Sequence, residues 1–270
     1  MKKIVKIIAG LTALSLIGVL LWTANGFLGN PISKSMANKS AEKFIKENYQ
    51  DLNLDVEEAE FSFKDGKYLV DVSSPSSMDT YFTVIVLPNG QVFRTTYEDQ
   101  FLSKFNTWQR VNEEYRLMVH GVLQDENFPY ESDIDFGEIP IINPDDETFG
   151  PKYGVVLEDL EIDERFDLTV MVSEIGHIVF YTSDDEITPK RAAEILLDLK
   201  NIFDENQVPF YAIDFTLQEP ESDSLDLLTR KTFSVGNFLY EDIHEENLEQ
   251  RLDEAAKELT IFYNTMDSKK

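Results

Sequence analysis

Cysteine is absent from all 270 residues, which excludes disulfides, thiolate nucleophiles and thiolate zinc sites at once. Packed cores alone must hold the fold. Histidine is scarce: His120, His177 and His244 lie far apart, none has metal-ligand spacing, and each reads as a surface or capping residue. No G-x-S-x-G, S-x-x-K, H-E-x-x-H or phosphate-binding glycine loop occurs, so the sequence gives no support for nucleophilic, zinc-dependent or nucleotide chemistry. Positive charge is also short, 24 Lys and Arg against 51 Asp and Glu, for a net charge of −27. Such a surface repels phosphate backbones, which excludes nucleic acid as a partner and leaves cations and basic partners open. A hydrophobic share of 42% argues for folded domains despite that charge.

What is abundant is carboxylate. With 51 of them, any spacing that a glycosidase needs arises by chance, so spacing alone says nothing about hydrolysis. Calcium takes oxygen ligands, and Asp133, Asp135 and Glu138, in the stretch DIDFGE, are the weak candidates for it; the rest of an EF-hand loop is missing. Asp145-Asp146-Glu147 and Asp184-Asp185-Glu186 are bare acidic turns. The expectation at each is a solvated loop, with no metal site, no cofactor and no catalytic residue.

The other conspicuous feature is an apolar run. From Ile7 to Leu28 no side chain is charged, and at about 1.5 Å per residue this length matches a hydrocarbon core of roughly 30 Å. Lys2, Lys3 and Lys6 precede it, and cytoplasmic flanks collect lysine. The reading is a single-pass signal-anchor with residues 1–6 in the cytoplasm, a transmembrane helix over 7–28 and everything after it outside the cell. A cleaved signal is the alternative, but the best cleavage site, Ala24-Asn25-Gly26, is poor.

Beyond the run, Asn30 and Pro31 are a cap and a first-turn proline for a helix with Ala37, Ala41, Phe44 and Ile45 on one face. The period then changes to two. Two hairpins are expected, around Asp65-Gly66 and around Pro88-Asn89-Gly90. A long helix from Glu98, with Phe101, Phe105, Trp108, Val111, Tyr115 and Met118 as its stripe, is expected to pack on those four strands. Residues 124–152 hold four of the ten prolines and read as an acidic linker. After it, Phe166, Leu168, Val170 and Val172 alternate like a strand, and His177 sits near a turn at Gly176. A helix opened by Thr188-Pro189, the strands PFYAIDFTL and TFSVGNFLY, and a helix after Glu245-Glu246 complete the chain. The expected class is therefore α+β: an N-terminal transmembrane helix followed by two small antiparallel sheet-plus-helix domains, over 30–123 and 153–264.

The stretches SAEKFIKENY, VEEAEFSF, DGKYLVDV and TYFTVIVLPNGQVF resemble PepSY-type domains, and the whole chain resembles the YfjL-like membrane-anchored proteins of bacilli. The resemblance carries no catalytic residues. It implies a non-enzymatic, membrane-tethered accessory protein at the outer face of a Gram-positive cell, contacting envelope proteins or peptidases. A carboxylate-dependent envelope hydrolase and an extracellular cation sensor are the alternatives. They differ in geometry: a hydrolase needs converging carboxylates in an apolar cleft, and a sensor needs a cage of oxygens. Oligomeric state is not legible.

Overall fold

The computed structural model describes residues 2–142, 150–220 and 230–267. Its chain forms two compact units, Met1–Thr107 and Trp108–Lys270. Each has its own sheet and its own core, as an α+β protein should.

The first unit begins with helix α1 (Lys2–Leu28), and here the sequence reading is corrected. Among the described residues, no helix is long and apolar enough to cross a membrane. The expected transmembrane signal-anchor over 7–28 is therefore not found among the described residues.

Helix α2 (Pro31–Asn48) follows, capped as its sequence requires by Asn30, whose side chain accepts from the Ile32 N–H at 2.8 Å. Ala37, Ala41 and Ile45 bury its small-residue face. They pack on an antiparallel sheet of β1 (Asp55–Val56), β2 (Glu60–Ser62), β3 (Lys67–Ser73), β4 (Tyr81–Val86) and β5 (Val92–Thr95), where Tyr68, Val70, Val72, Phe82, Val84 and Val86 alternate inward. Both expected hairpins are present, and Gly66 (φ 64°) and Gly90 (φ 86°) supply the left-handed backbone at their turns.

The expected long helix is broken. Tyr97–Leu102 forms a π-helical turn, Lys104 takes a φ of 61°, and Ser103 Oγ accepts from the Phe105 N–H at the start of helix α3 (Phe105–Leu123). Its stripe, Val111, Tyr115, Val119 and Val122, belongs to the second core instead of the first sheet. Consequently the compact units divide at Thr107, ahead of the expected linker.

That linker also contains a strand. β6 (Ser132–Glu138) pairs with β7 (His177–Ser183), then come β8 (Ala212–Gln218) and β9 (Thr232–Leu239), in the order β6-β7-β8-β9. The sheet is mixed. β7 and β8 run parallel because helix α5 (Pro189–Glu205) crosses between them, so the expectation of a purely antiparallel second sheet is also corrected. Gly137 is where β6 meets α3: a Cβ there would run into the Val119 side chain. The expected strand at 166–172 is instead helix α4 (Leu168–Ile175), whose cap Asp167 accepts from the Val170 N–H at 3.3 Å. A local cap outweighed the period-two pattern. Helix α6 (Leu248–Asp267) closes the chain, with Leu248 and Leu252 buried.

Asp184, at the entry to α5, gives a prediction. Its carboxyl is held below the ordinary range, first by the Glu186 N–H at 2.9 Å and also by Arg191 Nε at 2.9 Å. A depressed folded pKa means that its stabilisation is complete above the unfolded value of about 3.9 and is lost as pH falls through the lower folded value. Urea midpoints measured between pH 6 and pH 3 should fall less steeply in Asp184→Asn than in the parent.

Candidate functional site

The calcium candidates do not converge. Cross-strand pairing puts Glu138 on the same face of the second sheet as its partner His177, whereas Asp135 pairs with Phe180 on the other face, since alternate residues of a strand point oppositely. Asp133 sits at a register shift and accepts from Gln218 Nε2 at 3.0 Å. Among the described residues no group of three or more His, Asp or Glu side chains is placed to hold a metal ion. Asp145, Asp146 and Glu147 lie outside the described residues. Asp184 is paired with Arg191, and Glu186 accepts from the Thr188 hydroxyl at 3.0 Å.

The histidines separate sharply. His120 and His244 are exposed, as expected. His177 is not: it starts β7, it is 1% exposed, and the sequence reading of a turn or surface residue is wrong for it. Around it stands a polar cluster that the sequence reading missed. Tyr153 Oη lies 2.5 Å from His177 Nδ1, and His177 Nε2 lies 3.4 Å from Asp214 Oδ1. Burial, and behind it the charges of Asp214 and Glu138, pushes the Tyr153 phenol up, so at neutral pH it keeps its proton, and its hydroxyl donates to Asn237 Oδ1 at 3.1 Å.

Each member is placed by a nameable local device. Tyr153 is set down beside the end of β6 by two backbone bonds, Ile142 N–H to Val155 O and Val155 N–H to Pro140 O, both 2.9 Å. Asp214 stands on β8 opposite a β-bulge in β9. Ile213 pairs with Phe238 but Phe215 pairs with Val235, so β9 has one residue more across this interval. Asn237 takes up the slack with a φ of 51°, a conformation asparagine tolerates, and its N–H donates to Asp214 Oδ1 at 2.6 Å. One oxygen of Asp214 is thus held from behind by the Asn237 N–H of the bulge, with His177 Nε2 3.4 Å away.

The front of Asp214 opens into a groove of about 310 Å³ that also touches Thr216, Ser234, Tyr181, Leu259 and Tyr263. Asp214 retains 42% of its side-chain exposure there. The Thr216 hydroxyl donates to Ser234 Oγ at 2.9 Å, which pins the polar floor. Asp214 is the only carboxylate among the described lining residues, so the carboxylate pair that glycoside hydrolysis needs is not assembled in this groove. The arrangement offers one fixed negative charge, hydroxyls, two tyrosines and an aliphatic wall.

Family models described as YfjL-like, N-terminal domain and YfjL-like C-terminal domain match residues 1–94 and 114–253 respectively. No curated protein and no solved structure matches the chain.

Proposed function

We propose that this chain, which belongs to the YfjL-like family, is a non-catalytic binding or accessory protein whose second unit takes its ligand in the groove at Asp214. The observation that carries this reading is the clamped carboxylate. Its orientation is set in advance by the Asn237 N–H, so little freedom is lost when a ligand arrives. A PepSY-like role for the first unit belongs to the same proposal, supported by helix α2 being followed by an antiparallel sheet built from successive strands. So does an extracytoplasmic envelope setting, which suits a cysteine-free, strongly acidic chain.

Site-specific crosslinking tests the reading. A photoreactive residue replacing Tyr263, at the groove, should capture a discrete partner in cells, whereas one replacing Glu254 should not. Equal capture from both positions contradicts the reading. Release of envelope fragments by the purified protein, abolished in Asp214→Asn, would favour the hydrolase instead.

A further inference from the structure

We infer that the groove recognises a basic side chain, lysine or arginine, presented by a protein partner. This inference rests on the binding role proposed above and adds the chemistry of the ligand. A cation is selected first by Asp214, whose Oδ1 is already engaged by the Asn237 N–H while the rest of its half-exposed carboxylate faces the groove. Charge-assisted hydrogen bonds to such a preset acceptor are the strong kind.

The remaining walls fit the rest of a basic side chain. Tyr181 and Tyr263 bring aromatic surface to the groove, and aromatic faces attract ammonium and guanidinium groups. Leu259 and Val235 offer the apolar contact that a methylene stem covers. The Thr216 and Ser234 hydroxyls supply acceptor oxygens for further N–H donors. At 310 Å³ the groove lies at the small end of ligand pockets, which span roughly 300–1,000 Å³. A free polyamine fits less well. Its second and third ammonium groups would meet no further carboxylate among the described lining residues.

The protein's net charge of −27 draws any cation loosely, so the test must separate the site from the general field. Asp214→Asn does this, because it removes one of 51 carboxylates and keeps an oxygen for the Asn237 N–H. The full-length protein, in about 150 mM salt where exposed charges farther than roughly 8 Å are screened, is titrated with four probes while the Gly236 and Asn237 amide resonances are followed. The probes are Nα-acetyl-lysine methylamide, Nα-acetyl-arginine methylamide, the norleucine counterpart and spermidine. The lysine and arginine probes should shift both amides saturably, the norleucine probe should not, and Asp214→Asn should weaken the response at least tenfold. Equal response from norleucine, or an unchanged response in the variant, overturns the inference. Spermidine binding tighter than both amino-acid probes through Asp214 overturns the protein source and assigns the groove to a free polyamine. If no probe binds while crosslinking from position 263 persists, the ligand class is wrong and the binding role stands. If both fail, the binding role falls as well.

Discussion

Replacing Tyr115 by alanine should cost the second unit about 3–5 kcal/mol, the range for truncating a large, fully buried aromatic side chain. Tyr115 is 0% exposed and stands at the middle of the α3 stripe. Its ring lies where β6 comes closest, beside Gly137, and its hydroxyl donates to the Pro209 carbonyl at 3.3 Å. Removing it opens a cavity and takes a donor from that carbonyl. Little relaxation is available, because Gly137 and Gly176 already bring backbone against the ring. Glu113→Ala, on the exposed side of the same helix, should change stability by less than about 0.5 kcal/mol. Urea melts followed by Trp108 fluorescence in a Trp22→Phe background check both. Equal and small effects would mean that α3 does not pack on the second sheet.

Lys200→Met should cost about 3 kcal/mol, an unusual loss for a lysine. The ammonium donates to the Tyr240 carbonyl at 3.0 Å and the Ile243 carbonyl at 2.8 Å, and lies 3.9 Å from the centre of the Tyr240 ring. These contacts tie α5 to the segment that leads into α6. Methionine keeps the stem and the packing but leaves both carbonyls without their donor, and hydrogen bonds to charged groups are each worth about 1.5–3 kcal/mol. Lys190→Met is the control: its ammonium is exposed and reaches Glu194 only at 4.0 Å, so its loss should be small. A Lys200→Met protein as stable as the parent would show that the Lys200 ammonium does not hold the segment leading into α6.

The local signals in the sequence were informative wherever one cap or one turn decides the outcome. Asn30-Pro31 and Thr188-Pro189 start helices, and Gly66 and Gly90 turn hairpins, because each acts within a few residues. The α3 stripe announced a buried helix face but not the sheet it would meet, since periodicity carries no address. Strand β6 was hidden by its own composition. Asp and Glu are depleted in strands, yet they suit the edge that β6 occupies, where charge discourages unwanted pairing. The apolar run at the start suggested a membrane span, and no such span is found among the described residues.

The candidate site was illegible for a different reason. Tyr153, His177, Asp214 and Asn237 come from an irregular segment and three strands, so no fixed spacing could have joined them. Two weaker signals were present. Asp214 is the lone charge in the strand AIDFTLQ, and Gly236-Asn237 interrupts a strand pattern in the way a bulge does. Read together, they would have drawn attention to the β8–β9 pair.

The most direct measurement of the groove's role is the yield of the adduct from the photoreactive residue at position 263, compared between the parent and Asp214→Asn. Asparagine still accepts from the Asn237 N–H, so the variant should melt like the parent while its adduct falls at least tenfold. An undiminished adduct from a variant that melts normally would contradict the assignment of Asp214 as the centre of the binding site.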